Sequence, residues 1–209
     1  VALDFYYGSG SPFAWRVWLA LEHKAIPYTF KLMSFDAGDV ETPAFKAINP
    51  RQKVPTIVDD GFALYESSAI VEYLEDRKPG TASLFSADIH ERATQRRLIR
   101  ETDDYFFKPL GEIFEAVSEK KPADRIAAGV EKARAEMAHW AKLPAADYLA
   151  GALSAADFTL YPFVALVERF TQRNSQAIPV DLLPPRLKEW AARLQKLAIV
   201  QKTQPPHWK

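Results

Sequence analysis

The rhythm of apolar and polar positions changes once along this chain. In roughly the first 80 residues, short apolar runs are broken by turn residues; beyond that point apolar positions recur every three to four residues over long stretches. "LDFYY" reads as an aromatic-rich strand. Pro12 suits the first position of a helix, and "FAWRVWLALEHK" then places Phe13, Val17, Ala20 and Leu21 on one helical face. "PYTFKLM" reads as a second strand, followed by an extended connection. "VPTIVDDGFALY" holds two short apolar runs joined at Asp60-Gly61, a pair that favours a type I′ hairpin turn. "SSAIVEYLEDRKPG" reads as a helix capped by serine and stopped by Pro79-Gly80.

The strand signal then ends. Helical patterns fill "HERATQRRLIRETDDYFFKPLGEIFEAV", "PADRIAAGVEKARAEMAHWAKL", "SAADFTLYPFVALVERF" and "PRLKEWAARLQKL". The change of period predicts a small α/β domain over residues 1–79, a linker over 80–86, and an all-helical domain over 87–209.

Composition narrows the function. The chain has 209 residues, enough for a sizeable core, and 27 basic residues balance 27 acidic ones. A chain without basic surplus is a poor candidate for general nucleic-acid or membrane-surface binding. "VALDFYYG" enters a strand at once, so neither a signal peptide nor a membrane span is expected, and the cytoplasm is the default location. There is no cysteine, which excludes disulfides, thiolate metal ligands and a redox thiol of the protein's own. His23, His90, His139 and His207 lack partners at ligand spacing, so no metal is expected.

Four stretches carry chemistry. In "NPRQKVPTI", Pro55 opens a strand, where a missing N–H is tolerated. In "YESSAIVEYL", Ser67 stands at a helix start whose free N–H groups and dipole suit a carboxylate, and Glu66 just outside can hold an ammonium. In "LSAADFTLYPF", Ser154 and Asp157 fit a capping box in its aspartate variant. In "YYGSGSPFAWRVW", Pro12 makes Ser11 a helix N-cap.

With the order β-α-β, hairpin, helix and an all-helical second half, these stretches resemble the glutathione S-transferase family over the whole chain. The likeness is to its serine-type, theta/zeta-like, bacterial-looking members. It implies a thioredoxin-like α/β N-terminal domain, an all-α C-terminal domain, and glutathione as co-substrate. It also implies a cis Val54-Pro55 bond, with Val54 pairing with the cysteinyl backbone of glutathione, Lys53 and Gln52 reaching its glycine carboxylate, and Glu66 and Ser67 holding its γ-glutamyl end.

A free thiol titrates near 8.5, so only about 3% is thiolate at neutral pH, and lowering that by roughly two units takes about 2.7 kcal/mol. A hydroxyl donor together with a helix N-terminus can supply this. The resemblance points to Ser11 for that donor, with Tyr6, Tyr7 and Ser9 as alternatives. It puts a second, apolar substrate between the start of the first helix and the helical domain, near Phe13, Tyr105, Phe106 and Trp208. It further implies a homodimer acting on a small electrophile. The zeta-type isomerases carry two serines and a cysteine before "WRV", where this chain has Ser11, Pro12 and Phe13. A glutathione-dependent isomerase and a non-catalytic binding or assembly protein are therefore the alternatives to a transferase.

Overall fold

In the computed structural model, which describes residues 3–78, 82–143 and 146–208, side chains alternate along the first strand. Leu3, Phe5 and Tyr7 are fully buried, while Asp4 and Tyr6 on the other face are half-buried. This strand, β1 (Leu3–Gly8), pairs in parallel with β2 (Tyr28–Met33) and antiparallel with β3 (Thr56–Asp59). The hairpin from β3 to β4 (Phe62–Tyr65) turns at Asp60 and Gly61, with φ of 49° and 84°. Both values are positive, as a type I′ turn requires. The sheet order is β2-β1-β3-β4.

Helix α1 (Pro12–His23) links β1 to β2 and is buried nearly all round, from Ala14 to Leu21. The single apolar face read from its period understates this, because Trp15, Arg16 and Trp18 are buried as well. Phe5, Tyr7, Trp18, Tyr28 and Phe30 form an aromatic cluster with ring centroids 5.0–6.0 Å apart. Lys24, 1% exposed, is paired with Glu75 at 2.7 Å.

Two elements depart from the expectation. The connection after β2 is not extended: it holds a short 3-10 turn and α2 (Pro43–Ile48), which begins on Thr42, whose hydroxyl accepts the Phe45 N–H at 3.2 Å. Helix α3 (Ser67–Arg77) takes Glu66, not Ser67, as its N-cap residue. Pro79-Gly80, read as its stop, lies outside the described residues.

The chain divides into two compact units, residues 1–85 with 197–209, and residues 86–196. The expected helical half therefore returns its last stretch to the first unit. Helix α4 (Ile89–Glu101) opens the second unit, with the Asp88 carboxylate accepting the N–H groups of His90 and Glu91 at 2.9 Å. A π-helical turn, Thr102–Phe106, separates it from α5 (Phe107–Ser118), so the expected continuous helix carries one wide turn. Next come α6 (Ala123–Trp140), α7 (Ala155–Arg173) and α8 (Pro185–Leu194), around a core that includes Phe106, Trp140, Phe158, Phe163 and Trp190. Asp157 occupies its capping-box position, accepting the Ser154 and Leu149 N–H groups at 3.0 Å and the Trp190 indole at 3.2 Å. The last helix, α9 (Ala198–Thr203), and a 3-10 turn, Pro206–Trp208, belong to the first unit.

Candidate functional site

A cleft of about 200 Å³ in the first unit is walled by Phe13, Asn49, Lys53, Val54, Pro55, Tyr65, Glu66 and Ser67. Asn49 shapes one side of it. Its side chain is 1% exposed, donates to Lys53 O at 2.8 Å and Thr56 Oγ1 at 2.9 Å, and accepts the Arg51 N–H at 2.9 Å. These bonds brace the loop before β3, where Val54-Pro55 is cis. Among the described residues nothing bonds the N–H or C=O of Val54, so both are open to a ligand backbone.

The start of α3 forms the facing wall. Its first helical bond is Ile70 N–H to Glu66 O at 2.9 Å, and no side chain caps the earlier N–H groups. Those groups remain an anion seat. Ser67, 7% exposed, stands beside them. Glu66 has φ of 73° and ψ of 108°, outside the regions an L-residue prefers. Backbone held this way costs about 1–3 kcal/mol and is characteristic of ligand clamps. Neither the Lys53 ammonium nor the Glu66 carboxylate is paired with another described residue.

Ser11 is the N-cap of α1, its Oγ accepting the Ala14 N–H at 3.2 Å. A hydroxyl that accepts at its lone pair keeps its own proton to donate elsewhere. The Ser11 N–H bonds Gly8 O at 3.1 Å, closing a tight turn. Gly8 in turn packs against Val54: a Cβ at Gly8 would come within 2.7 Å of Val54 Cγ2 and of the Phe35 ring. Ser11 therefore sits one tight turn from the cis-proline loop, although it does not wall the cleft itself.

The other sequence candidates are dispersed. Tyr7 is 0% exposed in the aromatic cluster, and burial raises its hydroxyl, opposed by bonds to Gly10 and Ser9. Tyr6 points to the opposite face, its ring 5.6 Å from Phe45; burial, then Asp4, raises it. Ser9 bonds His207 at 2.7 Å. Gln52 is a turn residue at φ 55°, its N–H on Asn49 O at 3.0 Å, and does not wall the cleft. Phe13 is in the cleft, and Trp208 packs edge-on to Trp15 at 5.4 Å. Phe106 is 0% exposed in the second unit, edge-on to Trp140, so its ring is occupied by core packing; Tyr105 is exposed.

Sequence reasoning missed Asn49, Phe35, Tyr65 and His207. The Asn49-Pro50 pair is a recognisable turn signal. The contacts of Phe35 and His207 are made across the fold and leave no local mark.

A family model for the glutathione S-transferase N-terminal domain matches residues 10–77. The chain is 30% identical over 205 residues to the probable maleylacetoacetate isomerase 1 of Drosophila melanogaster, covering 92% of this chain and 77% of that protein. It is 40% identical over 95 residues, 44% of this chain, to the maleylacetoacetate isomerase of Pseudomonas aeruginosa, and there the match spans only 43% of the relative's length. Among solved structures, a glutathione S-transferase from the Antarctic clam Laternula elliptica is 28% identical with a TM-score of 0.85, covering 100% of this chain and 94% of that one. No described helix is long and apolar enough to cross a membrane. With its thioredoxin-like sheet, its helical second unit and a relative matched along most of both lengths, the chain belongs to the glutathione S-transferase family.

Proposed function

We propose that this protein binds glutathione in the cleft of its first unit and activates the thiol as a thiolate for attack on a small, largely apolar electrophile. The observation that carries the proposal is the convergence, in one small cleft, of Lys53 and Glu66, neither paired with another described residue, the start of α3 without a side-chain cap, and the Val54 backbone that no described residue bonds. Glu66 takes the γ-glutamyl ammonium, and Ser67 with the first N–H groups of α3 takes the neighbouring carboxylate. The cysteinyl amide pairs with Val54, and Lys53, with Gln52, faces the glycine carboxylate.

Ser11 is the thiolate partner in this reading. The thiol proton leaves to solvent, and the Ser11 O–H donates to the sulfur that remains. The N-terminus of α1 adds its dipole. Tyr7 is disfavoured because its oxygen is buried and accepts from within the loop. Phe13 and Trp208 supply apolar surface on the same unit for the second substrate. The reading includes a homodimer in the cytoplasm.

The names of two relatives favour a second reading, a glutathione-dependent isomerase. There the thiolate adds to a conjugated double bond, the single bond so formed rotates, and the thiolate is expelled unchanged. A calorimetric titration with glutathione tests the shared core of both readings, and absence of binding overturns it. Turnover assays then separate the two: conjugation consumes one glutathione per product, whereas isomerisation returns it.

A further inference from the structure

The loop from Gly8 to Ser11 presents the proposed thiolate partner. Gly8 and Gly10 have no side chains, and Gly10 has φ of 84°, which favours glycine. Between them Ser9 is the loop's one side-chain handle. That handle is held from far along the chain, by His207, whose Nδ1 lies 2.7 Å from Ser9 Oγ.

The segment that carries His207 is itself fastened to α1. The Trp15 indole donates to Thr203 Oγ1 at 2.9 Å, Lys202 pairs with Glu22 at 2.6 Å, and Trp208 packs edge-on against Trp15. The imidazole also fills the space beside Gly10: a Cβ there would meet its ring atoms at 3.1 and 3.2 Å.

The direction of the bonds follows from donor chemistry. Trp208 Nε1–H can only donate, and it donates to His207 Nε2 at 2.9 Å. Nε2 therefore carries the lone pair, and the proton of the neutral ring is on Nδ1. Nδ1–H donates to Ser9 Oγ at 2.7 Å. On the other side of the loop, Gly10 N–H reaches the Tyr7 hydroxyl at 3.4 Å. The chain of bonds thus runs from Trp208 through His207 to Ser9, and Gly10 adds a separate tie to Tyr7.

We propose that His207 is a positioning residue for thiol activation, fixing through Ser9 the turn that aims the Ser11 hydroxyl. This rests on the glutathione-thiolate reading and deepens it. His207 does not touch the thiol; it holds the loop that does.

The test uses His207→Ala, His207→Asn and the Ser9→Ala/His207→Ala double variant, with Ser9→Ala as reference. Nitrogen NMR of the free wild-type protein is expected to show the Nδ1-protonated ring, and an Nε2-protonated ring overturns the inference. With glutathione bound, ultraviolet thiolate absorbance against pH gives the thiol pKa. His207→Ala is expected to raise that pKa and lower kcat about tenfold, with KM for glutathione little changed. Asparagine, which keeps an N–H near the Nδ1 position, restores most of the loss. The double variant is expected to be no worse than Ser9→Ala alone. An unchanged thiol pKa in His207→Ala, or a loss confined to KM or melting temperature, overturns the inference while leaving the proposed function standing. Failure of the wild-type protein to bind glutathione overturns both.

Discussion

Ser11 and Ala14 are joined by a hydrogen bond in which the serine oxygen accepts, at 3.2 Å. The bond fixes one lone pair toward the helix and leaves the hydroxyl proton directed elsewhere. Capping and the proposed thiol activation therefore use different parts of the same group. Ser11→Ala is expected to lose both: about 1 kcal/mol of stability from the missing cap, and about a hundredfold in kcat from the missing donor. Denaturant unfolding and turnover of a chromogenic electrophile read the two separately. Full activity in the variant would show that Ser11 is not the thiolate partner.

Glu66 combines an unfavourable backbone conformation with a carboxylate that lines the cleft and pairs with no other described residue. Glycine at this position relieves the backbone and removes the charge. Glu66→Gly is expected to leave the protein as stable or about 1 kcal/mol more stable, while weakening glutathione binding at least about tenfold. Glu66→Gln keeps the strain and loses only the charge, so it weakens binding without the gain in stability. Thermal unfolding paired with calorimetric titration checks this, and a large loss of stability in the glycine variant would contradict it.

The Arg77 guanidinium holds the Asp59 carboxyl below its usual range, against the opposing effect of burial and with help from the Tyr73 hydroxyl. A carboxylate whose pKa is lower in the folded state stabilises the fold above its unfolded value near 3.8. That contribution is lost as pH falls through the folded value. Wild type is therefore expected to lose stability below about pH 4 more steeply than Asp59→Asn. The variant starts about 2 kcal/mol lower at neutral pH, where the charged pair is intact in wild type. Chemical denaturation at a series of pH values gives both slopes.

In the second unit, burial pushes the Asp157 carboxyl up to about 6 despite bonds from Leu149, Ser154 and Trp190. Removing the carboxyl strands four buried donors, the N–H groups of Leu149 and Ser154, the Ser154 hydroxyl and the Trp190 indole. Asp157→Ala is expected to cost on the order of 3 kcal/mol or more, with the near-ultraviolet signal of Trp190 altered. Glutathione affinity at temperatures where the variant remains folded should be close to wild type, because every residue assigned to glutathione lies in the other unit.

Local patterns carried much of the fold. Asp60-Gly61 specifies its turn through positive φ at both residues, and Pro12 after Ser11 specifies a helix start, so both are legible from neighbours in the sequence. Thr42-Pro43 carries the same kind of signal for α2, which the expectation of an extended connection passed over. Ser67 was read as a cap because serine favours that position, yet the chain turns one residue earlier, at Glu66, in a conformation that propensity disfavours. Such violations occur where a site takes precedence over local preference. The wall formed by Val54, Glu66 and Ser67 was visible as separate motifs. The packing of Phe35 on Gly8 and the bond between His207 and Ser9 depend on residues far apart in the chain, which no local rule brings together.

The return of residues 197–208 to the first unit has a consequence for how the protein is made. The Trp15 indole finds its partner in Thr203 and the Ser9 hydroxyl its partner in His207, after more than a hundred intervening residues of the second unit have left the ribosome. The second unit is in effect an insertion inside the first, and its contiguous chain can complete its fold while the first is still waiting. A nascent chain released early would carry the loop with Ser11 but not the segment that fastens it. Assembly of the loop that carries Ser11 therefore waits until the chain beyond the second unit has been made.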